Sequence, residues 1–402
     1  MRFTTILGMT AACVLSVGAA VSLRAQSLPP AEAALGSLIA KRMADANIMG
    51  VGAAVIAKRQ VVWMKGYGFA DYGRTRPFTP DTVMYVASIS KTFTGVAMMR
   101  AVREGRLSLD ADINKYLPFR VVNPHVPDAL ITLRHLATHT SGIKDRWDAF
   151  RAGYHYGGET PVPLGDFLAS YFKSDGARYS RDNFVNARPG GLREYSNIGA
   201  ALAGFIVERA FGESLSAYAR RHIFGPLQMA NTAWRLSDVA PGTHSTLFVS
   251  QNGLAIPIPP YELTDYPSSG IRTSVSDLSK FFIALLNGGE YQGARILDAE
   301  MTAEMTRFQF SDANRPENYP ASEGNSGLFW RTKYDGKRVG HGGNDPGMIA
   351  DMLADLDGHV AVILFANTSL GGSDRRAYGA IFDALWRHGE SQVAQKQGSK
   401  AR

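Results

Sequence analysis

Apolar residues near the start of the chain recur first at helical spacing and then at strand spacing. Residues 31–47 carry apolar side chains on one helical face, and Val51–Ala57 and Val61–Tyr67 follow as strands joined by a polar turn, which predicts a hairpin. Residues 92–102 are apolar almost all round. That pattern predicts a helix that is buried on most of its sides.

The middle of the chain, from about 107 to 325, has mostly helical spacing interrupted by long loops. Residues 236–270 are rich in proline, serine and glycine, and we predict that they are irregular. The clearest predicted helices are Thr132–Thr138, Leu164–Phe172, Asn197–Phe211, Leu215–Phe224 and Ser276–Leu286.

Strand patterns return near the carboxyl terminus, before a last predicted helix at Asp374–Trp386. Four strands are predicted there: Leu328–Thr332, Lys337–His341, Met348–Leu353 and Val360–Ala366. We therefore expect an α+β fold, with one antiparallel β-sheet formed from both chain ends, flanked by helices, and an inserted mostly helical domain. The predicted division is a sheet domain of residues 31–90 and 326–390, and an inserted domain of residues 91–325 that carries long substrate-site loops.

Residues 1–25 differ in composition from the rest and predict a cleavable signal peptide. Arg2 precedes an uncharged run rich in Ala, Gly, Ser and Thr, which ends before Arg24 and offers cleavage after Ala20 or Ala25. A retained membrane anchor is the alternative, because the run is long enough to span a bilayer, but its small and hydroxyl residues disfavour one. We expect a periplasmic or secreted protein without stable membrane insertion after cleavage.

Composition narrows the expected partners and cofactors. The single cysteine, Cys13, lies in the signal segment, so no disulfide or cysteine metal site is expected in the mature chain. The net charge of +7 falls to +5 without Arg2 and Arg24, and the scattered basic residues argue against nucleic acid as a partner. His135 and His139 lack the His-Glu-x-x-His frame of a metal site. We expect no metal, no cofactor and a small-molecule or peptide substrate; the oligomeric state is open.

A serine and a lysine three residues apart stand directly before the apolar helix. Ser88 and Lys91 would share one helical face, where the first-turn N–H groups create a positive potential for an oxyanion. Two other Ser-x-x-Lys pairs begin at Ser141 in a loop and at Ser170 in an amphipathic helix, and we interpret them as structural. Ser88 is therefore the candidate nucleophile, activated by a neighbouring base.

Two further motifs follow along the chain. Tyr195-Ser196-Asn197 is the only Tyr-x-Asn, and it lies where a loop enters a predicted helix. Residues 340–347 are glycine-rich and place His341 and Gly343 at the end of a predicted strand, where a substrate backbone could lie against the strand edge. Taken alone, each motif also has a structural explanation: a tyrosine packed at a helix start, or a glycine-rich hairpin loop.

Taken in order, Ser88-x-x-Lys91, Tyr195-x-Asn197 and His341-x-Gly343 resemble the motif set of the serine β-lactamase and penicillin-binding-protein superfamily. The resemblance runs from about residue 35 to 387 and includes the segment Ile131–Gly142. It is strongest to the class C branch, which contains class C β-lactamases, D-stereospecific peptidases and family VIII esterases. It implies a β-lactamase/transpeptidase-like fold.

The resemblance implies a catalytic role for three of these residues and an oxyanion hole beside them. Ser88 would attack a carbonyl to form an acyl-enzyme. Lys91 and Tyr195 would share the general-base and general-acid work, and which of them takes the serine proton first is left open. The backbone N–H groups of Ser88 and Asn344 would form the oxyanion hole.

Substrate binding would involve Asn197, Gly343 and His341. By the resemblance, Asn197 would bind the substrate amide and help to hold Lys91. His341 stands where class C β-lactamases usually carry lysine, and a neutral imidazole attracts a drug carboxylate less than an ammonium does. We therefore expect peptide or amide hydrolysis, as in the exported family enzyme that cuts linearised microcystin. The alternatives are a family VIII-type carboxylesterase, a β-lactamase, or a penicillin sensor that acylates without turnover.

Overall fold

A six-stranded antiparallel sheet joins both ends of the chain in the computed structural model, which describes residues 30–398 except 252, 335 and 373. The predicted signal segment 1–25 and Cys13 lie outside the described residues. The strands are β1 Gly50–Ala57, β2 Gln60–Gly68, β3 Arg331–Lys333, β4 Arg338–Asp345, β5 Met348–Asp355 and β6 Val360–Ala366. Their order across the sheet is β3-β4-β5-β6-β1-β2. The predicted α+β fold, with a sheet formed from both chain ends, is confirmed.

Strands β1 and β6 are buried along their whole length because both faces of the sheet are covered. Val51, Ala53 and Val55 of β1 face a core shared with the first and last helices, whereas Ala54 and Ile56 face a larger core shared with the middle helices. A strand sends successive side chains to opposite faces. The sheet therefore separates two hydrophobic cores.

Ten α-helices surround the sheet in the described range: α1 Pro30–Asp45, α2 Ser90–Arg103, α3 Leu133–Ala137, α4 Trp147–Arg151, α5 Leu164–Phe172, α6 Asn197–Phe211, α7 Leu215–Ala219, α8 Val275–Leu286, α9 Ala299–Thr306 and α10 Asp374–Gly398. Helices α1 and α10 pack on each other, and α10 packs on β1 and β6. None of the helices within residues 30–398 combines the length and apolarity needed to cross a membrane.

Several predicted elements have the bounds that the structure shows. Helices α5 and α6 and strand β6 begin and end at the predicted residues. Helix α6 ends at Gly212, whose φ of 71° is the left-handed conformation that terminates helices and that glycine adopts without strain. Helix α10 continues beyond its predicted end at Trp386.

Two predicted elements are only partly formed. The strand predicted at Leu328–Thr332 begins only at Arg331, because Phe329 has a φ of 50° that interrupts an extended chain. Phe329 is buried together with its neighbours, so core packing selects this conformation. The helix predicted at Leu215–Phe224 is α-helical only to Ala219, and a π-helical turn completes it.

Residues 236–270 are more regular than predicted. Leu247–Gln251 and Leu254–Ile258 form a hairpin, and Thr368–Ser369 adds a parallel strand beside the first of them. Pro257 is tolerated because its strand lies at the edge of this three-stranded sheet. The remaining short strand pairs are Met84–Tyr85 with Arg272–Thr273, Tyr154–Tyr156 with Tyr261–Leu263, and Glu290–Tyr291 with Ala294–Arg295.

Helix α2 runs through the larger core, as its apolar pattern predicts. All ten residues from Ser90 to Met99 are buried. Phe93 stacks on Phe281 with the ring centroids 3.7 Å apart, and it meets Phe224 edge-on. Stacked and edge-to-face aromatic pairs add to the stabilisation that burial provides. This aromatic cluster holds α2 in position.

Replacing Phe93 with alanine should lower the free energy of unfolding by about 3–5 kcal/mol, because it leaves a cavity in the core beside the first turn of α2. Urea denaturation followed by tryptophan fluorescence measures the change. Phe308→Ala is the matched control: Phe308 is 42% exposed, and its loss should change stability by no more than about 0.5 kcal/mol. Equal losses for both variants would contradict the assigned role of the aromatic cluster.

Candidate active site

Ser88 lies in a single 3-10 turn, Ala87–Ile89, that leads directly into α2. Ala87 has a φ of 45°, a left-handed conformation that residues with a side chain rarely adopt. Gly343 of β4 lies against this turn, and a Cβ at Gly343 would overlap the carbonyl group of Val86. Glycine at this position therefore lets β4 approach the backbone that carries the candidate nucleophile.

Lys91 is completely buried one turn after Ser88. Its Nζ lies 3.2 Å from Ser88 Oγ, 2.6 Å from Asn197 Oδ1 and 2.9 Å from the carbonyl oxygen of Ser268. The amide oxygen of Asn197 and the carbonyl of Ser268 can only accept hydrogen bonds, so each takes one N–H of the amine in either protonation state. A neutral amine would then direct its lone pair at Ser88 Oγ. That is the arrangement a general base requires.

A carboxylate at the start of α6 holds the Tyr195–Asn197 segment. Asp145 accepts hydrogen bonds from Ser196 Oγ and from the backbone N–H groups of Asn197 and Ile198. Ser196 also accepts a hydrogen bond from within the first turn of the helix. The unpaired N–H groups at a helix start favour a negative charge. Asp145 thus determines where Asn197 enters the site.

The phenol ring of Tyr195 covers the buried amine, with Lys91 Nζ 4.9 Å from the ring centroid. His139 packs against Tyr195 with the ring centroids 4.3 Å apart, and its Nδ1 accepts a hydrogen bond from the backbone N–H of Ser196. Burial holds the pKa of His139 well below its usual range, so the ring is a neutral acceptor. His139 therefore positions Tyr195 beside Lys91.

His341 is buried on β4, with its ring centroid 6.5 Å from that of Tyr195. Burial and, secondarily, the positive charges of Arg331 and Lys91 hold the pKa of His341 well below its usual range. Its Nδ1 lies 2.7 Å from the carbonyl oxygen of Gly342 and donates a hydrogen bond to it in the neutral ring. His341 therefore does not supply the positive charge that a lysine would supply at this position.

Ser88, Asn197 and Asn344 line one cavity of about 470 Å³. They come from the start of α2, the start of α6 and strand β4, so the fold unites three motifs that are far apart in the sequence. Lys91 contacts Ser88 and Asn197 of this lining, and Tyr195, His341 and Gly343 adjoin the same residues through the contacts described above. Its other side-chain walls include Trp147, Phe150, Tyr154, Asp345 and Leu370.

Sequence reasoning missed three residues of this site: Asp145, Ser268 and Asp345. Asp145 caps a helix that begins more than fifty residues later, and a tertiary cap of this kind has no local signature. Ser268 contacts Lys91 through its backbone carbonyl, which any residue type could provide. Asp345 directly follows Asn344, and this adjacency was the one available signal.

The other candidate sites in the sequence, the Ser170 pair and the two histidines, have side chains that are engaged in structural contacts. In the Ser170 pair, Lys173 lies at the surface and forms an ion pair with Asp175. His135 and His139 do not converge, because each ring accepts a hydrogen bond from a different backbone N–H group. Within the described residues, no group of three or more His, Cys, Asp or Glu side chains is placed to hold a metal ion.

Replacing Asp145 with alanine should lower the free energy of unfolding by about 1–2 kcal/mol, because α6 loses its cap. It should also lower kcat roughly tenfold or more in the folded enzyme, since Asn197 and Tyr195 lose their position. Urea denaturation and the turnover of a chromogenic ester measure the two effects. Asp148→Ala is the control, because Asp148 is exposed and pairs with Arg146 at the surface. Wild-type turnover in Asp145→Ala would refute the positioning role.

The chain matches one protein family over most of its length. The sequence model of the family described as Beta-lactamase matches residues 35–385. Among curated relatives, Protein flp of Staphylococcus aureus (strain MW2) is 24% identical over 338 residues, which cover 83% of this chain and 62% of that protein. Esterase EstB of Burkholderia gladioli is 30% identical over 211 residues, or 52% of each chain. This chain thus spans less than two thirds of the length of either relative.

A solved structure extends the match to the fold. The octameric penicillin-binding protein homologue from Pyrococcus abyssi superimposes with a TM-score of 0.71 at 25% identity, covering 88% of this chain and 76% of that one. These findings confirm the predicted membership of the serine β-lactamase and penicillin-binding-protein superfamily, whose members are serine hydrolases. With three motifs gathered at one cavity and a family match across residues 35–385, the chain belongs to the beta-lactamase family.

Proposed function

We propose that this protein is a serine hydrolase that forms an acyl-enzyme at Ser88. The observation that carries the proposal is the 3.2 Å contact between Lys91 Nζ and Ser88 Oγ, made while two obligate acceptors hold the same amine. A nucleophile and a base within hydrogen-bonding distance can exchange a proton directly as the serine attacks. Membership of a family of serine hydrolases supports the same assignment.

The proposed reaction begins when Ser88 Oγ attacks the substrate carbonyl carbon and its proton passes to Lys91 Nζ. The backbone N–H groups of Ser88 and Asn344 stabilise the resulting oxyanion. The tetrahedral intermediate then collapses, and the leaving group takes a proton from the Lys91–Tyr195 pair as its bond to carbon breaks. Water next attacks the acyl-enzyme and gives up a proton to the same pair. The bond from the acyl carbon to Ser88 Oγ then breaks, Ser88 Oγ takes that proton back, and the carboxylic acid leaves.

Amide or peptide bonds are the first proposed substrates. Strand β3 pairs only with residues 338–340 of β4, so residues 341–345 have no strand partner on that side within the described chain. An extended peptide can add to such an edge through main-chain hydrogen bonds. The free edge lies beside Ser88, because Gly343 packs against the turn that carries it. Linear peptides, of which linearised microcystin is one example, fit this edge.

Ester hydrolysis is the second candidate, and the 30% identity to Esterase EstB favours it. β-Lactam hydrolysis is a weaker candidate, because the neutral His341 provides no cation for a drug carboxylate. A penicillin sensor would use the same acylation step but would retain the acyl group. These candidates differ in substrate and in deacylation, and both properties can be measured.

A substrate panel tests the proposal: p-nitrophenyl esters, D- and L-peptides, and nitrocefin. We expect turnover of peptides and at least about a thousandfold loss in Ser88→Ala for every substrate that is hydrolysed. Ser141→Ala is the matched control, since it begins another Ser-x-x-Lys pair outside the cavity. Full activity in Ser88→Ala would remove Ser88 as the nucleophile, and turnover of esters alone would favour the second candidate.

A chase experiment separates the hydrolase from the sensor. The protein is labelled with a fluorescent penicillin and then incubated without it. Release of the label with an acid product is expected of a hydrolase, whereas a permanent label on Ser88 would support the sensor.

We also propose that the protein is exported after cleavage of residues 1–25, whose composition supports a signal peptide. Amino-terminal sequencing of the protein from the periplasmic or medium fraction should start at Gln26 or Val21. A mature protein that begins at Met1 would contradict export through this segment.

A further inference from the structure

Asp345 places a carboxylate in the wall of the cavity that contains Ser88. Two phenol groups hold it: Tyr85 donates to Oδ2 at 2.9 Å and Tyr154 donates to Oδ1 at 2.6 Å. A carboxylate offers about four lone-pair sites. The two phenols therefore fix the orientation of the carboxylate and leave acceptor capacity for a group in the cavity.

No cation of the described chain forms an ion pair with Asp345. By contrast, the buried carboxylates of Glu262, Asp277 and Asp351 each have a basic partner. Lys91 acts on Asp345 electrostatically, but its donors are engaged by Ser88, Asn197 and Ser268. The carboxylate thus faces the substrate cavity without a protein counter-ion.

Aromatic side chains form the wall beside this carboxylate. Trp147, Phe150 and Tyr154 line the same cavity, and Trp147 stacks on Phe150 with the ring centroids 5.8 Å apart. The guanidinium of Arg151 already lies 5.7 Å from the Trp147 ring centroid. Aromatic faces attract cations through their negative potential, and a carboxylate in the lining of the same cavity supplies the opposite charge.

We propose that Asp345, Tyr154 and the aromatic pair Trp147 and Phe150 form a subsite for an ammonium group of the substrate. The inference deepens the proposed function, on which it rests: it narrows the substrate to an amine-bearing amide or ester. An α-amino group or a basic side chain would bind between the carboxylate and the rings while the scissile carbonyl lies at Ser88.

The ionisation of Asp345 should make this preference depend on pH. Burial raises the pKa of Asp345 to about 7, and the hydrogen bonds from Tyr154 and Tyr85 offset part of that rise. Below that pKa the carboxyl is neutral and has no charge to offer, whereas an alkylamine such as phenethylamine stays protonated throughout this pH range. Affinity for such an alkylamine should therefore rise between about pH 6 and about pH 8. The other titratable groups that act on or are affected by Asp345 are Lys91, Asp265, Tyr156 and Tyr261.

Calorimetric titration of the Ser88→Ala protein tests the subsite without requiring hydrolysis. The probes are phenethylamine and 2-phenylethanol, which have similar shapes but differ in charge. We expect the amine to bind roughly ten- to a hundredfold more tightly at about pH 8, with a smaller ratio at about pH 6. In the double variant Ser88→Ala/Asp345→Asn, the ratio of amine affinity to alcohol affinity should be close to one at both pH values. Asp81→Asn, an exposed aspartate elsewhere, should leave the ratio unchanged.

Equal binding of the two probes, or a ratio that survives Asp345→Asn, would overturn the inference. Circular dichroism and a urea transition confirm that Asp345→Asn is folded, and Tyr154→Phe provides a second variant that keeps the carboxylate but loosens its orientation.

Kinetic measurements then separate the subsite proposal from the proposed hydrolysis. Phenylalanine p-nitroanilide and 3-phenylpropionyl p-nitroanilide differ only in the amine, so a missing preference with normal turnover contradicts the subsite alone. Amine binding without any turnover contradicts the proposed hydrolysis alone.

Discussion

The buried amine of Lys91 is the constraint on which the site depends. Removing a lysine from water destabilises the folded state unless its donors find partners. Here the partners come from three places: Ser88 before α2, Asn197 at the start of α6, and the carbonyl of Ser268. Because each belongs to a different segment, the hydrogen bonds that satisfy Lys91 also fix the segments relative to one another. The hydrogen bonds of Lys91 therefore determine both how these three segments pack together and how the site residues are arranged.

The turn that carries Ser88 is held by its surroundings rather than by local preference. Ala87 is in a left-handed conformation, which an isolated peptide would rarely populate. The backbone N–H of Val86 donates to the carbonyl of Ile271, and Ser90 Oγ accepts from the N–H of Ile271. Gly343 closes the other side of the turn. A strained turn that is fixed from both sides presents Ser88 in one orientation.

Hydrophobic periodicity correctly predicted the elements whose conformation is determined by their own sequence. Helices α5 and α6 and strand β6 are of this kind. It failed where contacts with distant residues determine the conformation. Phe329 adopts a left-handed conformation because of core packing, and Pro257 is tolerated because its strand lies at the edge of a sheet. The motif residues could be proposed from the sequence because acyl transfer would need particular side-chain types in a particular order. Asp145 was not, since its role is created only when the fold brings it to α6.

The centre of the sheet joins segments that are synthesised at very different times. β1 pairs with β6, and the backbone N–H of Gly50 donates to a side chain 317 residues later, that of Asn367. Ser88 and Lys91 therefore leave the ribosome long before β4 and β6 exist to complete the sheet and the cavity wall. Until then the nascent chain carries the proposed nucleophile without the β4 residues that would form the oxyanion hole and the peptide-binding edge. We therefore expect hydrolytic competence only after the chain has been synthesised as far as residue 366.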